Sequence, residues 1–213
     1  MTITTEEIQH YAEQHTTPEN SILRNINRET HAKVLMPRML SGHLQGRVLS
    51  MFSHMIKPDT ILEIGTYTGY SALCLAEGLQ PGGKLITVDI NEELETSVRQ
   101  YFRQADLDDK IDYRIGNALE IIPQLNSRFD LVFIDADKEN YSRYFDLVID
   151  QVNLNGYILA DNVLWSGKVL ESSPDKDTRA IIEFNEKVQR DNRVENVLLP
   201  IRDGIMVMRK ISH

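Results

Sequence analysis

Thr60-Ile61-Leu62-Glu63-Ile64-Gly65-Thr66-Tyr67-Thr68-Gly69-Tyr70-Ser71 decides the architecture. Apolar and β-branched residues run as a strand over 60–65, interrupted by the acid Glu63. The strand passes straight into a turn carrying Gly65 and Gly69, and a helical pattern begins at Tyr70. Glycine lets such a turn bring backbone close to a neighbour or a ligand. A strand handed to a helix in this way is half of a βαβ unit, and the pattern repeats along the chain. Upstream, a helix over 41–55 is stopped by Lys57-Pro58-Asp59. Downstream, the helix from Tyr70 runs to about 79, before Pro81-Gly82-Gly83, and strands are predicted at 84–89, 111–115, 130–135 and 157–161. Helices are predicted at 92–105, near Leu119, and at 140–152 and 178–190. Two final strands, 194–199 and 204–210, are joined by Pro200-Ile201-Arg202-Asp203-Gly204, a connection short enough for a hairpin. The expected fold is therefore α/β: a mostly parallel seven-stranded sheet, its last strand antiparallel, with helices on both faces.

Ligands of such sheets bind beyond the carboxyl ends of the strands, so the residues at those ends carry the functional information. The first turn lacks the Gly-x-Gly-x-x-Gly spacing of a dinucleotide site and, taken alone, reads equally as a tight strand-to-helix connection. Glu63 beside it suits a ligand bearing an ammonium or sulfonium better than one bearing a pyrophosphate. The second strand ends in Thr87-Val88-Asp89-Ile90. A carboxylate there can accept both hydroxyl hydrogens of a ribose; it can also serve as a helix N-terminal acid, a role open to Asn91, Glu92 and Glu93. Gly116-Asn117-Ala118, after the third strand, would then face an adenine.

The fourth and fifth strands end in Phe133-Ile134-Asp135-Ala136-Asp137-Lys138 and Leu159-Ala160-Asp161-Asn162. As neighbours in a parallel sheet they would bring Asp135, Asp161 and Asn162 to one edge. Three oxygen donors suit Mg²⁺ or Ca²⁺ and leave room in the shell for a bidentate diol. Asp161-Asn162 as a turn opener and Asp135 as a helix N-cap are the structural alternatives. Lys138, one helical turn beyond Asp135, is either a surface lysine or a group that handles the proton of a substrate hydroxyl.

Composition narrows the classes. The chain has 213 residues, 41% hydrophobic and 26% charged, which is the balance of a folded globular protein and not of a disordered one. A net charge of −9 argues against gripping nucleic acid by bulk charge. Cys74 is the only cysteine, so no internal disulfide can form, and residues 1–20 show no apolar signal core; a cytoplasmic protein without a membrane segment is expected. The six histidines make no zinc pattern, and no serine sits in a Gly-x-Ser-x-Gly elbow. Met36, Met39, Met51 and Met55 read as core or pocket lining.

The stretches Leu62-Glu63-Ile64-Gly65-Thr66-Tyr67-Thr68-Gly69-Tyr70-Ser71, Asp135-Ala136-Asp137-Lys138-Glu139-Asn140-Tyr141, Asp161-Asn162-Val163-Leu164-Trp165 and Leu199-Pro200-Ile201-Arg202-Asp203-Gly204-Ile205 together resemble the class I S-adenosylmethionine-dependent O-methyltransferases of the caffeoyl-CoA/catechol type, in particular small bacterial members. The likeness extends from about Met39 to the C-terminus. It implies a Rossmann-like methyltransferase domain over 1–213, with 1–56 as a helical cover and 60–213 as the cofactor-binding and catalytic sheet. It also implies cofactor contacts from Met39, Glu63, Gly65, Thr66, Ser71, Asp89, Ala118, Asp135 and Asp137. Asp135, Asp161 and Asn162 match the metal ligands, and Lys138, with Asp135, the catalytic positions. The segment 166–177 is shorter than in the plant enzymes, and Ser166 stands where they carry asparagine, so the plant substrate does not follow.

The expected activity is methyl transfer from S-adenosylmethionine, leaving S-adenosylhomocysteine, to a hydroxyl of a catechol-like molecule. Mg²⁺ is the first choice of cation, with Mn²⁺ or Ca²⁺ as alternatives. Methylation of a hydroxylated uridine in tRNA is the second enzymatic reading. An NAD-dependent oxidoreductase and a cofactor-binding protein without turnover are the more distant ones. The family's habit implies a homodimer.

Overall fold

The computed structural model describes residues 6–213. Its sheet grows outward from β1 (Thr60–Ile64), which pairs in parallel with β2 (Lys84–Asp89) on one side and β4 (Phe129–Ile134) on the other. With β3 (Ile111–Ile115), β5 (Val152–Asp161), β6 (Val194–Leu199) and β7 (Ile205–Lys210), the seven strands stand in the order β3-β2-β1-β4-β5-β7-β6. β7, inserted between β5 and β6, pairs antiparallel with both, and every other pair in the sheet is parallel. The strand order reverses between β1 and β4, and at such a switch point the connections diverge to opposite faces and leave a crevice.

Alternation along the strands sorts side chains onto two buried layers. Leu62, Ile64, Val132 and Ile134 face one core with Phe145 and Phe184. That layer is covered by α6 (Ala118–Ile121), α7 (Tyr141–Ile149) and α8 (Lys176–Arg190). Ile61, Leu131 and Phe133 face the other with Leu49, Leu73 and Phe102. This second layer lies under α2 (Ser21–Lys33), α3 (Gly42–Ile56), α4 (Tyr70–Ala76) and α5 (Glu95–Gln104), with α1 (Glu6–Gln14) against α3. Each face removes a continuous apolar surface from water, which is the main stabilisation of a sheet of this kind. Among the described residues, no helix is long and apolar enough to cross a membrane.

Two junctions differ from the sequence expectation for a tertiary reason. α4 stops at Ala76, and Gly78 then passes so close to α3 that a Cβ there would lie 2.2 Å from the Ser53 carbonyl carbon. α7 ends at Ile149 and β5 starts at Val152. There the buried Lys210 ammonium donates to the carbonyls of Ile149 at 2.8 Å and Val152 at 2.9 Å, fixing where helix gives way to strand.

The methionine expectation is corrected as well. Met51 and Met55 are 62% and 71% exposed and Met36 is exposed too, so none of these three is core, whereas Met39, also exposed, lines a cleft as expected. The inner face of α3 is made of Gln45, Gly46, Leu49, Ser50 and Ser53. Small residues are needed because α4 lies so near: a Cβ on Gly46 would come within 2.6 Å of the Tyr70 ring. Close helix approach thus inverted a face that hydrophobicity alone assigns to the core.

Candidate active site

The crevice between β1 and β4 is closed by one glycine. Gly65 donates its N–H to Val88 O, Asp135 donates to Ile64 O, and the two chains run so close that a Cβ on Gly65 would sit 1.9 Å from the Asp135 carbonyl oxygen. Gly65 also holds a left-handed φ of 103°, which side chains resist. Met39, Leu40 and Ser41, from the chain entering α3, border the same cleft together with Gly65, Thr66, Ser71 and Asp135. A wider hollow bounded by Asp59, Lys84, Asp112 and Arg114 opens near the strands' amino ends, away from these residues.

Glu63 lies under the turn and is completely buried. Its Oε2 accepts from Thr87 Oγ1 at 2.5 Å, and Thr66 and Thr87 are joined at 2.6 Å. With the Thr87 proton directed to Glu63, Thr66 is the donor in that second bond. Glu63 Oε1 has no partner. Burial pushes this carboxyl up to about 8, opposed by the neighbouring Ser71 and Thr87 hydroxyls. An unpartnered, buried acceptor at the mouth of a helix turn fits a ligand that brings a cation or an N–H donor.

Asp89 is held from both sides: Oδ2 accepts from Tyr67 N at 2.6 Å and Oδ1 from Asn91 N at 2.8 Å. The N-terminal cap of the following turn is Asn91, whose side chain accepts from Glu93 N. Helix capping therefore does not account for Asp89, and its carboxylate stands oriented beside the cleft. Ala118 opens α6, whose cap is Asn117. Ile90, 77% exposed next to Asp89, and Tyr67, whose hydroxyl donates to Met36 O, also flank this region. Neither stood out in the sequence; the apolar residue directly after Asp89, at the end of a strand, was the available signal.

β4 and β5 deliver the second cluster. Lys138 is buried, and its Nζ donates to Asp135 Oδ1 at 3.2 Å, Asn162 Oδ1 at 2.8 Å and Tyr141 Oη at 2.6 Å. All three ammonium donors are in use. The ammonium also lies 4.7 Å from the Tyr141 ring centre and 5.8 Å from that of Trp165. Tyr141 in turn donates to the Asp161 carbonyl. The Asp135 and Asn162 oxygens thus converge on one positive charge. Asn162 reaches it from a left-handed backbone (φ 57°), a conformation asparagine tolerates. Asp161 is 3% exposed; burial first, then the Asp135 charge, raise its carboxyl above the usual range, while Lys138, Gln45 and Arg202 counter them.

Among the described residues no three His, Cys, Asp or Glu side chains form a metal cage. The set here is two carboxylates and a carboxamide, all oxygen donors, and its chemistry fits a hard divalent ion: the Asp135 and Asn162 oxygens already share a cation, and Asp161 is a buried carboxylate beside them. Asp137, by contrast, is exposed, with its oxygens accepting from Asn140 and Tyr144.

Two further residues were not found from sequence. Gln45 Nε2 donates to Asp161 Oδ2 at 2.6 Å, and Arg202 Nη1 donates to Gln45 Oε1 at 3.0 Å. The hairpin that carries Arg202 also holds the segment after Asn162: Val163 N donates to Gly204 O and Leu164 N to Asp203 O.

The strand order, the antiparallel β7, and the acid-tipped strands on either side of the switch point define a class I methyltransferase fold. The chain belongs to the O-methyltransferase family, whose profile matches residues 13–211, and it is an S-adenosylmethionine-dependent O-methyltransferase. It is 37% identical over 198 residues to caffeoyl-CoA O-methyltransferase 1 of Eucalyptus globulus, covering 87% of this chain and 80% of that one. Among solved structures, the Bacillus cereus O-methyltransferase in complex with SAH is 29% identical with a TM-score of 0.88, covering 96% of this chain and 97% of that one. The SAH-bound methyltransferase of Podospora anserina is 27% identical with a TM-score of 0.89, covering 99% and 98%.

Proposed function

We propose that this enzyme methylates one hydroxyl of a catechol-like or other vicinal-diol small molecule, with a divalent cation, Mg²⁺ first, at Asp135, Asp161 and Asn162. The observation that carries this is the convergence of Asp135 Oδ1 and Asn162 Oδ1 on the single Lys138 charge at the ends of adjacent strands. The caffeoyl-CoA O-methyltransferase relatives, named for a substrate with an adjacent pair of ring hydroxyls, favour the same acceptor class.

Glu63, Gly65, Thr66 and Ser71 would hold the amino-acid end of S-adenosylmethionine, with the free Oε1 of Glu63 meeting its charged groups. Asp89 would take the ribose hydroxyls, Ile90 and Ala118 would border the adenine, and Met39 would close the cleft from the N-terminal side. The donor supplies a methyl group already activated on sulfonium, and the cation supplies Lewis acidity at the acceptor oxygens. The chain's own work is placement and proton handling. Lys138, held within hydrogen-bond reach of the oxygen ligands, would take the hydroxyl proton in its neutral amine form or, as the ammonium, stabilise the oxyanion left when that proton passes to water. The Trp165 ring lies 5.8 Å from the ammonium, within cation–π range. Holding the acceptor in line with the donor methyl accounts for most of the remaining acceleration.

The test is an acceptor panel of diphenols and hydroxycinnamoyl esters with Mg²⁺, Mn²⁺ or Ca²⁺, read by S-adenosylhomocysteine release, with tRNA as a separate arm. Diphenol turnover that is lost with EDTA and in Asp161→Ala is expected. Unchanged catechol methylation under both perturbations refutes the cation role, and methyl incorporation into tRNA alone refutes the acceptor class. We further propose a homodimer that uses the exposed Met51 and Met55 of α3, one helical turn apart. Sedimentation of wild type and Met51→Glu/Met55→Glu should show a dimer that dissociates; a wild-type monomer refutes it.

A further inference from the structure

We infer that Gln45 and Arg202 form a positioning relay that sets the orientation of Asp161, tying the N-terminal cover to the cation site; this rests on the cation reading above. Asp161 has each carboxylate oxygen assigned to a protein donor: Oδ1 accepts from Asn162 N at 2.7 Å and Oδ2 from Gln45 Nε2 at 2.6 Å. The first bond is local and comes with the turn. The second reaches across 116 residues of chain, from the inner face of α3. A carboxylate pinned at both oxygens cannot rotate about its χ2 axis, so the lone pairs left over keep one direction.

The Gln45 amide has a single consistent orientation. Arginine can only donate and a carboxylate only accept, so Oε1 must face Arg202 and Nε2 must face Asp161. Gln45 is 1% exposed, so water cannot substitute at either end. Arg202 anchors the other end of the relay: Nη1 contacts Gln45 Oε1, Leu40 O and Ser41 O. It does so from a left-handed backbone position (φ 52°) in the β6–β7 hairpin, a conformation that costs a non-glycine residue and persists where contacts over-determine it. Leu40 and Ser41 border the Gly65 cleft. One arginine thus fastens the cofactor cleft's rim and, through one glutamine, a carboxylate of the cation site. Among the described residues Arg202 makes no ion pair within 4 Å, so its polar contacts are with this relay.

Partners that orient a metal ligand typically change metal affinity by roughly 10–100-fold when removed. Gln45→Met keeps the side-chain length and removes both bonds. Mn²⁺ affinity, read from the free-ion EPR signal, should weaken by roughly tenfold or more. S-adenosylhomocysteine affinity by calorimetry should stay at the wild-type value, and diphenol turnover should recover when Mn²⁺ is raised. A merely structural role would instead lower the melting temperature and both affinities together, without recovery. Asp161→Asn is the companion. If it loses Mn²⁺ binding while Gln45→Met retains wild-type affinity, the relay is overturned and the cation site stands. If Asp161→Asn itself binds Mn²⁺ normally, the cation reading fails and the relay with it. Should Gln45→Met not fold, Arg202→Met reads the same affinity, with loss supporting the relay and no change overturning it.

Discussion

Glu63→Gln is the most exacting perturbation because its magnitude follows from burial. In the ligand-free protein the Glu63 carboxyl titrates near 8, against an ordinary value of 4.5, because burial penalises its charged form. Between those two values the folded chain binds more protons than the unfolded one, so stability falls as pH rises through that window. Between pH 5 and pH 7.5 this single group removes about 3 kcal/mol, at 1.36 kcal/mol per unit. Glutamine copies the shape of the neutral acid and does not titrate. Urea unfolding of both proteins without cofactor, at several pH values across that range, should show Glu63→Gln gaining about 3 kcal/mol on wild type as pH rises. The same substitution should weaken S-adenosylmethionine binding, because a cationic ligand favours the ionised carboxylate and its binding at pH 7 should release a proton. Calorimetry in buffers of different ionisation enthalpy measures that proton. A variant-to-wild-type stability difference that stays flat with pH refutes the reasoning.

Lys138→Met should lower kcat roughly 10²–10⁴-fold while leaving S-adenosylhomocysteine affinity nearly unchanged, as expected of a proton-handling group and checked by steady-state kinetics and calorimetry. Gly65→Ala should destabilise by about 3 kcal/mol or more, since its Cβ meets the Asp135 carbonyl as well as a left-handed φ. Gly82→Ala, with a similar φ of 84° and open space around it, should cost only about 1–2 kcal/mol in the same melts. Lys210→Met strips two carbonyls at the α7–β5 junction of their donor and should cost about 1–3 kcal/mol by urea unfolding.

The β–α alternation, the hairpin at the end and the acids at the strand tips were all readable from the chain. Periodicity reports the local burial of each segment, and a residue at the carboxyl end of a parallel strand is placed at the ligand edge wherever its strand lies in the sheet. Asp135, Asp161, Asn162 and Lys138 were placed at one edge in that way, where the fold brings Asp135 and Asn162 onto Lys138. The face of α3 was not, because its burial is set by how near α4 comes, and close approach demands Gly46 and Ser53 where hydrophobicity pointed to Met51 and Met55. Lys210 was likewise invisible: a lysine ending a strand is ordinarily solvated, and only the folded junction supplies two carbonyls for it.

The same division runs through the site itself. Linear order was enough to name the class of fold and to put the Gly65 turn and the Asp135, Asp161 and Asn162 oxygens at the carboxyl edge of the sheet, because each depends on a strand and the few residues that follow it. Which of those groups are strained, orphaned or steered was settled only when distant segments met. Glu63 lost its solvent beneath the turn, Asp161 gained Gln45 from α3, and Gln45 gained Arg202 from the hairpin. Hydrogen bonds and desolvation act over a few ångströms whatever the separation along the chain, so they belong to the tertiary structure and leave no pattern in the sequence.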